Sequence, residues 1–146
     1  LLAILAHEIG HYKKKHILLG TVLSIVQSGI LFFCMSFFLD NKDLFAAFKM
    51  QELSIYAGLT FFSLLYSPIQ MILSVVSSMI SRKNEFEADA YSLVHTQNKD
   101  ALISMLKGLA ANNLSHLTPH PLMVFLSYSH PPVMDRIAAV TIIDEQ

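Results

Sequence analysis

The sequence predicts an all-α fold that crosses a membrane twice. Three observations carry this reading. Two long runs hold no charge, at residues 17–39 and 53–81. The composition is 53% hydrophobic and only 14% charged, against about a quarter charged in ordinary soluble domains. A histidine-rich segment, HEIGHYKKKH, abuts the first run.

As helices the two runs would extend about 34 Å and about 43 Å, both enough for a hydrocarbon core of about 30 Å. Pro68, near the middle of the second, predicts a kink. The competing arrangement, a very apolar soluble helical core, does not need uncharged runs of such length. Between the runs, DNKDLFAAFKMQE reads as a short polar loop. Lys13, Lys14 and Lys15 precede the first run, Arg82 and Lys83 follow the second, and only Lys42 and Lys49 lie between. This excess of outer basic residues places both outer ends on the cytoplasmic side. Two crossings then bring residues 82–146 back to the face that holds residues 1–16. The net charge of −1 gives no reason to expect nucleic acid as a partner. Cys34 is the only cysteine; it cannot form an internal disulfide and reads as a small buried apolar residue. The chain starts at Leu1 inside an apolar pattern without signal-peptide flanks, and it reads as a fragment of something longer.

The chemistry is concentrated in residues 1–16. LLAILAHEIGHY is rich in helix formers, with Gly10 its weak point. His7 and His11 are four apart, so on a helix they lie on one face and both imidazoles can reach one ion. Glu8 leans over the same site without having to bind. This is the H-E-x-x-H pattern of two zinc ligands and a general base. A third ligand is expected on the returning segment SRKNEFEADAYSLVH. It reads as a separate helix, with Asn84 as its cap and Phe86, Ala90 and Leu93 as its apolar stripe. Glu85 and Asp89 share one face and Glu87 points nearly opposite; solvated surface acids are the alternative. Residues 98–113 form an amphipathic packing helix. Four prolines between 119 and 132 mark an irregular segment, in which LMVFLSY is either strand or helix. Pro131 and Pro132 hold His130 in extended backbone, and a helix starting at Pro132 would place Arg136 one turn in. His16, His95, His116 and His120 read as polar surface or packing residues.

Taken in order, HEIGHYKKKH, two spans, SRKNEFEADAY, NLSHLTPHP and YSHPPVMDRI closely resemble the C-terminal half of the type I CaaX prenyl endopeptidases. These are integral-membrane zinc metalloproteases. The resemblance implies a gluzincin-like site built from the HExxH and EFEAD helices, holding one zinc ion per chain. His7, His11 and Glu85 are its implied ligands and Glu8 its catalytic base. Asp89 matches the acid that supports the site from behind the ligands. His130 and Arg136 match residues that stabilise the reacting carbonyl or hold the substrate. The implied partners are the lipid bilayer and a peptide or protein substrate, a lipid-modified one in this family. The implied location is the bacterial inner membrane or the endoplasmic reticulum, with the site facing the cytoplasm. One membrane metallopeptidase unit is expected over 1–146, with residues 82–146 as its cytoplasmic-side catalytic part. A membrane quality-control protease without prenyl specificity and a non-catalytic metal-binding scaffold are the alternatives. A di-iron bundle needs a second Glu-x-x-His, and the sequence has none.

Overall fold

A computed structural model describes residues 1–39, 41–50, 52 and 54–144. Leu53, where the second uncharged run begins, lies outside the described residues. Among the described residues seven helices follow one another: α1 (Leu2–Lys13), α2 (His16–Phe38), α3 (Lys42–Ala47), α4 (Ile55–Thr96), α5 (Lys99–Asn112), α6 (Pro121–Ser127) and α7 (Val133–Asp144). There is no strand among the described residues.

Local chemistry sets most boundaries. α1 closes with His11 and Lys13 in its last turn, where cations favour the carbonyl end of the dipole. The chain then turns through Lys15, whose φ of 60° is left-handed, a conformation that costs a non-glycine residue about 1–2 kcal/mol. α3 is capped by Asn41, whose Oδ1 accepts from the Leu44 N–H at 3.0 Å. α5 is capped in the same way by Asn98 on the Ala101 N–H at 2.9 Å. α6 opens with Pro121 and with His120 Nδ1 accepting from the Leu122 N–H at 3.2 Å, so the ambiguous LMVFLSY run is helical.

Two expectations change. The segment between the spans is not all loop, since α3 forms within it. The second span also does not stop at residue 81 before a separately capped helix. α4 is one helix of 42 residues that contains both the apolar run and EFEAD, and Asn84 lies in its interior. It passes through Pro68, which has no N–H for the Leu64 carbonyl four residues back. The Ser67 hydroxyl donates to that carbonyl at 2.8 Å instead.

The chain divides into two compact units, Thr21–Ser74 and Leu1–Gly20 with Val75–Gln146. In the first, Phe45, Phe62 and Tyr66 are buried. Phe38 meets Phe62 edge-on at 5.5 Å and Phe48 stacks on Phe61 at 3.9 Å. Phe32, Phe33, Leu64 and Met71 point outward, and Cys34 is half-buried rather than buried. Both α2 and α4 are long and apolar enough to cross a membrane. Outward apolar side chains are what a lipid solvent selects.

In the second unit α1 and α7 both pack on α5. Ala3, Leu93, Leu102, Leu106 and Val140 form its core. α1 and α4 also lie very close together. A Cβ added at Gly10 would sit 3.1 Å from Tyr91 Cβ and 3.2 Å from both the Cα and the carbonyl oxygen of Ala88. Two of those three atoms are backbone and cannot step aside. Glycine, the weak point of α1 by propensity, is therefore what permits the contact. Ser92 Oγ ties the same helices together by donating to the Ala3 carbonyl at 3.0 Å.

Candidate metal centre

The close contact of α1 and α4 sets two histidines against two carboxylates. His7 and His11 project from one face of α1. Glu85 and Asp89, also four apart, project from one face of α4. His7 Nε2 lies 3.1 Å from His11 Nε2 and 3.6 Å from Glu85 Oε2, while His11 Nε2 lies 3.6 Å from Glu85 Oε1. Ligands bound tetrahedrally to zinc at 2.0–2.1 Å stand about 3.3–3.4 Å from one another. The donor set His7, His11 and Glu85 therefore fits a small tetrahedral cation, with a fourth position left for water or substrate. Burial and the neighbouring His7 lower the pKa of His11 against the opposing pull of Glu85, which favours the neutral imidazole that ligates.

The remaining atoms of these residues are also engaged. Asp89 Oδ1 lies 2.9 Å from His7 Nδ1. That nitrogen is buried and has no well-aligned hydrogen bond, so Asp89 is a close polar neighbour set off the N–H line. Arg136 is 5% exposed. Its Nε and Nη2 donate to the two Asp89 oxygens, both at 2.7 Å, and its Nη1 lies 2.9 Å from Glu85 Oε2. Every nitrogen of the guanidinium is thus spent on a carboxylate. Asp89 lies beyond the uncharged part of α4. Its burial would raise its pKa, but the bonds from Arg136 and the close approach of His7 outweigh that and hold it low. Burial likewise works against the Arg136 charge, and Asp89 outweighs it, raising that pKa. His130 is largely exposed, with Nδ1 3.1 Å from Glu85 Oε1. A cavity of about 440 Å³ opens beside it, lined by Leu106, Tyr128, His130, Pro131 and Arg136 among others. Glu8 is exposed on α1 and its charge acts on His11.

All seven residues singled out in the sequence thus fall in the unit that holds α1, the second half of α4 and α7. Two others were missed. Arg82, read only as a flanking charge, donates from Nη1 to the carbonyls of Val124 and Tyr128. It thereby anchors the segment that carries His130. His16, read as a polar surface or packing residue, is 7% exposed. Its Nδ1 lies 3.1 Å from His11 Nδ1 and its Nε2 lies 3.2 Å from Glu87 Oε2. Glu87 does point away from the ligand cluster, but toward His16 and not simply into solvent.

The sequence pattern described as Peptidase family M48 matches residues 1–143. Over 141 residues the chain is 33% identical to the human CAAX prenyl protease 1 homolog, covering 95% of this chain and 30% of that protein. It is 30% identical to CAAX prenyl protease 1 of Saccharomyces cerevisiae over 161 residues, covering 99% of this chain and 35% of that one. The crystal structure of S. mikatae Ste24p superposes with a TM-score of 0.81 at 29% identity, over 94% of this chain and 35% of that one. The chain spans about a third of the length of the curated relatives it matches. These likenesses bear out the resemblance read from the motifs.

Proposed function

The chain belongs to peptidase family M48, and on that premise we propose that it carries the zinc site of a membrane metalloendopeptidase acting on lipid-modified peptides. The observation that carries this reading is the convergence of His7 Nε2, His11 Nε2 and the Glu85 carboxylate at tetrahedral spacing. Two imidazoles and a carboxylate with an open position are the donor set of hydrolytic zinc. A zinc ion held there supplies Lewis acidity toward a peptide carbonyl and acidifies water to a pKa of about 7.

The protein's own residues do the rest. Glu8 takes a proton from the attacking water onto its carboxylate and returns it to the leaving amine. His130, exposed at the cavity rim and beside Glu85, is assigned to donating to the carbonyl oxygen as negative charge develops there. Arg136 is assigned to holding Asp89 and Glu85 in place, because its guanidinium is buried and engaged by both. Two helices long and apolar enough to span a bilayer support a site close to a membrane surface. The basic residues at their outer ends support a cytoplasmic orientation. That position suits a substrate whose anchor is lipid-borne, such as a prenylated C-terminal CaaX peptide.

The test is a peptidase assay on the intact protein in detergent, with matched farnesylated and unmodified C-terminal peptides, before and after chelation. Cleavage that chelator removes and stoichiometric zinc restores is expected, with the farnesylated peptide preferred. Equal cleavage of both peptides would favour a quality-control protease without prenyl specificity. Zinc binding without cleavage of either would favour a non-catalytic scaffold.

A further inference from the structure

Resting on the reading of His11 as a metal ligand, we propose that His16 and Glu87 form an orienting chain that fixes the tautomer and ring position of His11, on the side of the site away from Asp89. The two ligand histidines present the same problem. Each turns Nε2 toward the other and toward Glu85, so each must carry its proton on Nδ1. For His7 that nitrogen faces Asp89 Oδ1 at 2.9 Å. For His11 it faces His16 Nδ1 at 3.1 Å.

The protons along this second chain have only one consistent arrangement when His11 ligates through Nε2. His11 Nδ1–H donates to His16 Nδ1, which must then be the bare nitrogen of a neutral imidazole. The His16 proton is therefore on Nε2, and that nitrogen donates to Glu87 Oε2 at 3.2 Å. Lys83 Nζ, 3.6 Å from Glu87 Oε1, faces the far end of the chain. The rings of His11 and His16 meet edge-on at 5.0 Å, which suits a bond from one ring nitrogen to the other. Outer partners of this kind raise the basicity of a ligating imidazole and hold it in line.

The backbone is shaped to build the chain. On an unbroken helix a residue five positions on sits about 140° around from its partner, so His16 could not face His11. The left-handed turn at Lys15 ends α1 and starts α2 at His16, which swings the ring back. Glu87, on the side of α4 away from the ligands, is where the far nitrogen of that ring arrives. Asp89, on the ligand face of α4, thus stands beside His7, and Glu87, on the opposite face, serves His11 through His16.

The test measures zinc affinity and zinc release by chelator competition on the intact protein, with thermal melting of the metal-free form as a control for folding. His16→Leu should weaken zinc affinity about 10- to 100-fold and speed its release. His16→Asn, which keeps an acceptor near the Nδ1 position, should recover part of that loss. Glu87→Ala should weaken affinity by a smaller factor, and the double variant His16→Leu/Glu87→Ala should be no worse than His16→Leu alone, because both act through one chain. A His16→Leu variant that melts normally and binds zinc within twofold of the parent would overturn the proposal. So would losses from His16→Leu and Glu87→Ala that simply add.

Discussion

Replacing Glu8 with Gln in the intact protein is expected to lower the turnover number by at least about 10²- to 10⁴-fold, the usual worth of a positioned general acid–base. About one zinc per chain should remain bound. Glu8 lies one residue from His7 and outside the donor cluster His7, His11 and Glu85, so amidation removes a proton acceptor and no metal–ligand bond. Its side chain is exposed, so the substitution buries no unpaired group and should leave melting unchanged. Zinc content by mass spectrometry and turnover, read on the same preparation, decide the assignment. Turnover near the parental rate in a variant shown to be zinc-loaded would remove Glu8 from its role.

The acids of EFEAD should separate as sharply. Glu85→Gln preserves shape but weakens a ligand, and it should lose most bound zinc and essentially all activity. Asp89→Ala should weaken zinc affinity about 10- to 100-fold through His7. It should also destabilise the fold, because it strips the buried Arg136 of its bidentate partner. Removing one partner of a buried ion pair costs about 3–5 kcal/mol. Glu87→Ala should still load zinc when the metal is in excess, since its carboxylate reaches His16 and not the ligand atoms. Zinc content at saturating metal, measured for the three variants together, checks the register. A zinc-free Glu87 variant beside a fully loaded Glu85 variant would shift the third ligand by two residues.

Much of this site was legible because it depends on local spacing. His7 with His11, and Glu85 with Asp89, each follow the four-residue repeat that puts two side chains on one helix face. The apolar runs of α2 and α4 follow from the absence of charge alone. What sequence could not supply depends on breaks and long-range partners. Arg82, Lys83 and the acids after them resemble a helix boundary, yet nothing in SRKNEFEADAY stops a helix, and α4 continues through it. The contact of His16 with His11 was not visible because it passes through one left-handed lysine, a conformation that lysine does not announce. Arg136 was visible as a site residue. Its contacts were not, since they join α7 to α4 across 47 positions of sequence.

Zinc K-edge X-ray absorption on the intact, zinc-loaded protein tests the central claim most directly. The expected first shell is nitrogen and oxygen only, at about 2.0–2.2 Å and about four-coordinate. Its outer-shell scattering should correspond to two imidazoles, falling to one in a His11→Ala variant. A zinc–sulfur distance of about 2.3 Å, or imidazole scattering unchanged by loss of His11, would contradict a centre built from His7, His11 and Glu85.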